Sequence, residues 1–218
     1  MINGAVFDMD GLMFDTERLV YETWQMMMDE LGFEYNLDIF KKTIGLRTDM
    51  AESYYNSLYG ERFCYKPLKQ KSREIFLKRV SEEGVPVKKG LVELLEFLKS
   101  NGLKISVATS TSAQTAHKII AMAGVYDYFD AFVCGDDVKN GKPHPEVFLT
   151  AAEKLSLAPE ECVAFEDSIN GIKSAHCAGM TTVMVPDYLQ PTQEIIPMID
   201  CLCGDLSQAI EFISKHMK

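Results

Sequence analysis

The chain has 218 residues, 47% of them hydrophobic and 25% charged, and 22 Lys and Arg stand against 32 Asp and Glu for a formal charge of −10 at pH 7. A chain of this length buries about 70% of its unfolded surface and needs no disulfide or metal staple, and its composition excludes disordered, collagen-like and fibrous classes. An acidic balance without a basic run argues against nucleic acid as a partner, and no stretch reaches the ~18 to 20 apolar residues of a membrane span.

In chain order, residues 2–8 (INGAVFD) read as a short buried strand, and so do 104–109 (KISVAT), 131–134 (AFVC), 162–166 (CVAFE), 181–185 (TTVMV) and 200–203 (DCLC). Helical patterns lie between them. Leu91, Leu94, Leu95 and Leu98 follow the i, i+3, i+4, i+7 spacing before Asn101-Gly102. Ala116, Ile119, Ile120 and Ala123 repeat it before Gly124, and Val147, Phe148, Ala151, Ala152 and Leu155 form a third stripe after Pro145. Strand alternating with helix implies right-handed βαβ units and a parallel sheet.

Residues 15–82 break this rhythm. Val20, Trp24, Met27 and Leu31 mark an amphipathic helix ending at Gly32, YKPLKQKSREIFLKRV suggests another, and Met26, Met27 and Met28 read as packing within the same insertion. The expected fold class is α/β, a Rossmann-like parallel sheet core formed by 1–14 and 83–218, with an inserted α-helical cap at 15–82. The opening MINGAVFDMDGLMFD lacks the basic start and long apolar run of a signal peptide. The expectation is therefore a cytoplasmic monomer whose partner is a small molecule. The six cysteines (64, 134, 162, 177, 201, 203) are scattered, their one close pair is C-x-C, and most read as buried thiols.

Chemistry gathers at the strand ends. The first strand ends in Asp8-Met9-Asp10-Gly11, and in an open α/β sheet ligands sit outside the carboxyl ends of strands. Two nearby carboxylates stay ionised together only with compensation, for which a divalent cation serves. The second strand ends in Thr109-Ser110-Thr111-Ser112, hydroxyls and N–H groups at a helix start that suit an anion. Lys142 lies in Asn140-Gly141-Lys142-Pro143-His144-Pro145, and Phe165-Glu166-Asp167-Ser168 brings acids to the fourth strand end. Each alone reads as a turn, a helix cap or a solvated loop. Together they supply acids for Mg²⁺, donors and a lysine for phosphate, and a carboxylate for proton transfer, which is the equipment of phosphoryl transfer. GDDVKNGKP fails as a P-loop, because five residues separate its glycines and Pro143 stands where Ser or Thr must hold the metal. No G-x-G-x-x-G occurs, and an EF-hand counted from Asp8 meets Met13 and Leu19 where Gly and Glu are required.

With FDMDG, VATS, NGKPHPE and FEDS in this order, the sequence resembles the haloacid dehalogenase superfamily, in the branch of β-phosphoglucomutase and the small sugar-phosphate phosphatases. The resemblance implies that Asp8 is a nucleophile forming an aspartyl-phosphate and that Asp10 is the general acid and base. It implies that Thr109, the Ser110 N–H and Lys142 hold the phosphoryl group. It also implies that Mg²⁺ is bound by Asp8, the Asp10 carbonyl and Asp167, with Glu166 in or beside that set. In the cap, Thr16 falls at the hinge, and Arg47 and Lys71 are the cations expected to meet the substrate. Mutases of this branch carry a His four residues after the hinge Thr, where this chain has Val20. The expectation is therefore hydrolysis of a small phosphorylated metabolite, a sugar phosphate in particular. Phosphomutase is the alternative, and a non-catalytic phospho-acceptor or binding protein a remote one.

Overall fold

The computed structural model describes residues 1–44, 46 and 48–217, so Arg47 lies outside the described residues. The chain separates into two compact units, one formed by Met1–Asp15 with Val85–Lys218 and the other by Thr16–Gly84.

The first unit is built on a six-stranded sheet of β1 (Gly4–Phe7), β2 (Lys104–Ala108), β3 (Ala131–Val133), β4 (Cys162–Glu166), β5 (Thr181–Met184) and β6 (Cys201–Leu202). All neighbours are parallel, in the order β3-β2-β1-β4-β5-β6. All four residues of β1 and all five of β4 are buried, as strands covered by helices on both faces require. The connection from β3 to β4 crosses to the other side of β1, so the sheet reverses direction beside β1 and leaves a crevice at its carboxyl edge. Register does the rest. Phe7 pairs with Val107 on one side and with Phe165 on the other, so the next residues, Asp8, Ala108 and Glu166, emerge abreast.

Helices α5 (Leu91–Ser100), α6 (Ala113–Met122), α7 (Glu146–Leu155), α8 (Ile169–Cys177) and α9 (Ala209–His216) belong to this unit. The leucine stripe of α5 is fully buried, and so is the Val147, Phe148, Ala151, Ala152, Leu155 stripe of α7, which packs with Val6, Ala108, Val133 and Ala164 of the sheet. Burying each large apolar side chain contributes about 1.5–3 kcal/mol. Ala123 caps α6 rather than extending it.

The second unit holds α1 (Thr16–Leu31), α2 (Leu37–Lys41), α3 (Thr48–Tyr59) and α4 (Tyr65–Glu83). Its core is aromatic. Trp24 stacks on Tyr55 at 5.4 Å and on Tyr65 at 5.9 Å, and Arg79 of α4 donates to Glu22 of α1 at 2.9 Å. The buried face of α1 is Leu19, Thr23, Trp24, Met27 and Met28, which corrects the expected stripe. Val20 is half-buried, and Leu31 and Met26 are exposed. Thr23 takes a buried position because its hydroxyl donates to the Leu19 carbonyl at 2.7 Å, so no polar group is left unmet. The cysteines are all free; Cys134, Cys162 and Cys203 are buried, whereas Cys64 and Cys177 are exposed. No helix among the described residues is long and apolar enough to cross a membrane.

Phe148 is fully buried and belongs to the apolar stripe of α7 that packs on the sheet. Phe148→Ala removes that packing and leaves a cavity, an expected loss of about 3–5 kcal/mol. At about 2–4 °C per kcal/mol for a chain of this size, a circular-dichroism melt reads the change, and a shift under 2 °C contradicts this role for the ring.

Candidate active site

The turn after β1 presents its acids because its apolar residues face inward. Met9, Leu12, Met13 and Phe14 are buried, and the turn closes through Met13 N–H to the Met9 carbonyl and Gly11 N–H to the Phe14 carbonyl, both at 3.0 Å. Gly11 has φ +82, and a Cβ there would lie 2.3 Å from Asp167 Oδ2. A side chain at this position is excluded both by backbone strain and by the Asp167 carboxylate.

Lys142 organises the centre. Its side chain is 7% exposed, and its ammonium donates to Asp8 Oδ1, to Glu166 Oε1 at 2.6 Å and to the Ala108 carbonyl at 3.0 Å. It also lies 5.0 Å from the centre of the Phe148 ring. The loop that carries it is tied down at both ends. Glu146 accepts from Lys139 N–H at 2.8 Å and from the Asn140 amide at 2.8 Å, and Ser174 Oγ donates to the His144 carbonyl at 2.7 Å.

Glu166 is completely buried, and its second oxygen accepts from the N–H groups of Asp167 and Ser168, both at 3.1 Å, and from the Ser168 hydroxyl at 2.9 Å. Ser168 in turn caps α8 by accepting from Gly171 N–H at 3.0 Å. A Cβ on Gly171 would fall 1.8 Å from Glu166 Cδ, so a glycine inside the first turn of α8 makes room for the carboxylate. After β2, Thr109 is buried and Ser110 exposed. Thr111 N–H donates to Thr109 Oγ1 at 3.0 Å, and the Thr111 hydroxyl donates to Asp10 Oδ2 at 2.6 Å.

Asp8, Asp10, Thr109, Ser110, Lys142, Glu166 and Asp167 thus all sit at the carboxyl edge of the sheet or in the loops leaving it. Lys71 and Thr16 belong to the helical unit: Lys71 is exposed on α4 with Glu30 of α1 at 3.8 Å, and Thr16 is the buried first residue of α1. The sequence motifs carried no sign of the Thr111 bond to Asp10 or of the Gly171 clearance; Ser168 three residues before Gly171 signals only the helix cap.

Asp8, Glu166 and Asp167 each offer an oxygen, all within 4.8 Å of one another. Three carboxylates make three repulsive pairs, each about 4 kcal/mol at 4 Å and an effective dielectric of about 20, and Lys142 is a single positive charge. Burial pushes the Asp8 carboxyl up to about 8; Lys142 opposes the shift, and Glu166 and Asp10 add to it. Burial pulls the Lys142 ammonium down, but Asp8 and Glu166 outweigh it and raise the pKa above the usual lysine range, so the group stays charged. A buried set of hard oxygen donors short of positive charge fits a small divalent cation of the Mg²⁺ type. The Asp10 carboxylate is not one of these three, and the donor expected from that residue is its main-chain carbonyl.

The profile of the haloacid dehalogenase-like hydrolases matches residues 5–185. The chain belongs to this family. A phosphorylated carbohydrates phosphatase of Thermotoga maritima is 35% identical over 182 residues, 84% of each chain. Hexitol phosphatase B of Escherichia coli K12 is 32% identical over 189 residues, 85% of this chain and 84% of its own. The β-phosphoglucomutase structure from Clostridium difficile shares the fold, with a TM-score of 0.80, 24% identity and coverage of 99% and 96%. This hydrolase is therefore a phosphomonoesterase of the branch that holds the sugar-phosphate phosphatases and the β-phosphoglucomutases.

The raised Asp8 carboxyl gives a test independent of turnover. A group with a folded pKa above its unfolded value of 3.8 contributes stability below that value and loses it as pH rises through about 8. Without metal, the stability difference between Asp8→Asn and the wild type is expected to move in favour of the variant as pH rises from 4 to 8, whatever the offset left by the lost contact to Lys142. Mg²⁺ is expected to raise the melting temperature of the wild type and much less that of the variant. Equal Mg²⁺ shifts in both proteins contradict metal binding by Asp8.

Proposed function

We propose that this phosphatase hydrolyses small sugar or sugar-alcohol phosphates through an aspartyl-phosphate on Asp8, with Mg²⁺ as cofactor. The observation that carries the reading is one constellation: a buried Asp8 held by Lys142, with Glu166 and Asp167 beside it and Asp10 two residues on. The substrate class is supported by relatives named for phosphorylated carbohydrates and for hexitol phosphates.

In the first half-reaction an Asp8 oxygen attacks phosphorus, the bond from phosphorus to the ester oxygen breaks, and Asp10 gives its proton to the departing alkoxide. In the second, Asp10 takes a proton from water, the resulting nucleophile attacks phosphorus, and Asp8 leaves with inorganic phosphate as product. Lys142 and the Thr109 hydroxyl, with the Ser110 N–H, hold the phosphoryl oxygens. Mg²⁺, held by the Asp8 and Asp167 carboxylates and the Asp10 carbonyl with Glu166 beside them, would neutralise charge on the carboxylates and the phosphate. Lys142 serves in both halves, since the phosphoryl charge it faces persists throughout. Hydrolysis rather than phosphoryl transfer to a second sugar is favoured because Val20 stands where the mutases carry their His.

A phosphate-release assay over a panel of phosphomonoesters tests this directly. EDTA stops release and Mg²⁺ restores it, while Ca²⁺, larger and less strict in geometry, substitutes poorly. Asp8→Asn abolishes turnover, and Asp10→Asn lowers it by about 10² to 10⁴-fold. Full activity after exhaustive chelation, or wild-type turnover in Asp8→Asn, overturns the mechanism.

The site residues account for the phosphoryl group alone, so choice among leaving groups falls to the helical unit, 16–84, with hinges at its two junctions, Asp15-Thr16 and Gly84-Val85. Lys71→Ala and Arg47→Ala are expected to change kcat/KM unequally across the panel while sparing p-nitrophenyl phosphate. One common factor for every substrate removes these two residues as selectors.

A further inference from the structure

We infer that Thr111 is the positioning residue of the proton-transfer carboxylate, an inference that rests on the role given to Asp10 above. Its hydroxyl donates to Asp10 Oδ2 at 2.6 Å across 101 residues of sequence. An aspartate side chain turns among staggered wells about its first bond and more freely about its second. A strong hydrogen bond from a fixed donor selects one orientation, and proton transfer within reach of a leaving oxygen depends on that orientation.

The donor is fixed. The Thr111 N–H is spent on Thr109 Oγ1 at 3.0 Å, and its carbonyl accepts from Gly135 N–H at 2.9 Å. Gly135 approaches this closely because it has no side chain: a Cβ there would lie 2.3 Å from the Ser110 carbonyl oxygen. The neighbouring Asp136 accepts from Ala113 N–H at 2.9 Å and pins the start of α6 to the same loop. The loop after β3 therefore braces the loop after β2, and the loop after β2 braces Asp10. Threonine suits the task because its branched Cβ restricts χ1. A hydroxyl also orients the carboxyl group without setting a charge beside it. Through its N–H and its hydroxyl, one residue links the phosphate-binding Thr109 to Asp10.

The experiment compares two substrates with leaving groups of different need. A hexitol phosphate releases an alkoxide that requires a proton, whereas p-nitrophenyl phosphate releases a stable phenolate. With a phosphoryl-enzyme intermediate, kcat/KM reports the half-reaction in which the leaving group departs. Thr111→Val is expected to lower the alkyl-to-aryl ratio of kcat/KM by about tenfold or more, as loss of a supporting hydrogen bond to a functional group commonly does. Thr111→Ser restores most of the ratio, and Thr111→Ala repeats the loss with no bulk to misplace. Equal loss on both substrates, or no loss on either, overturns the inference. Asp10→Asn on the same pair separates the two ideas: if it leaves the ratio unchanged, the role of Asp10 fails and this inference falls with it. If it lowers the ratio and Thr111→Val does not, the positioning role alone fails.

Discussion

The ammonium of Lys142, buried between Asp8 and Glu166, is the contact on which the arrangement of this site depends. Removing one partner of a buried ion pair leaves an uncompensated charge in a poorly polarisable surrounding, at a cost of about 3–5 kcal/mol. The pair therefore enforces order on three segments distant in sequence: the end of β1, the loop before α7 and the end of β4. Asp167 and Asp10 add negative charge that one lysine does not balance. Burial is the main reason the Asp8 carboxyl is held above its ordinary range, and Glu166 and Asp10 add to the shift while Lys142 opposes it. The excess of negative charge fits a small divalent cation.

The scaffold makes this affordable by immobilising the groups before any ligand arrives. Glu166 reaches its place because three donors converge on one of its oxygens and because Gly171 vacates the volume it occupies. Asp8 reaches its place by register, one residue beyond the pairing of Phe7 with Val107 and Phe165. The two rings of Phe7 and Phe165, each one residue before an acid, stack with centroids 4.5 Å apart. Apolar packing thus carries the charges, and the hydrogen bonds of the loops aim them. Preorganised groups of this kind stabilise developing charge without reorganising at the moment of reaction.

The helical unit follows a different logic. Its core is a cluster of aromatic rings around Trp24 and Tyr55, joined by hydroxyl contacts such as Tyr35 to Tyr55 at 3.3 Å, and it carries exposed ion pairs such as Lys71 with Glu30 and Lys78 with Glu82. Exposed pairs contribute little to stability. The surface of such a unit can therefore change its polar residues at small energetic cost.

Several features were legible from the residues alone. The strands stand out as short apolar runs, and most clearly β1 and β4, which are covered on both faces and buried throughout, whereas β6 at the sheet edge is half-open. The faces of α5 and α7 stand out because their period of 3.6 is uninterrupted. Asp8, Lys142, Glu166 and Asp167 could be grouped because parallel topology sends every strand end to one edge. The α1 face was less legible, since apolar residues on both sides of its stripe compete, and burial went to Leu19 and Thr23 once the hydroxyl of Thr23 was satisfied inside its own helix. The bond from Thr111 to Asp10, the clearance at Gly171 and the brace from Gly135 were decided by tertiary structure alone. Each is a distance between atoms far apart in sequence, fixed only when loops approach within hydrogen-bond reach, and neither spacing nor composition carries such a distance. Sequence determined which chemical groups gather at the edge of the sheet, because strand period and topology are local and additive. Tertiary structure decided how each group is aimed, because aim depends on the simultaneous packing of all the segments that meet there.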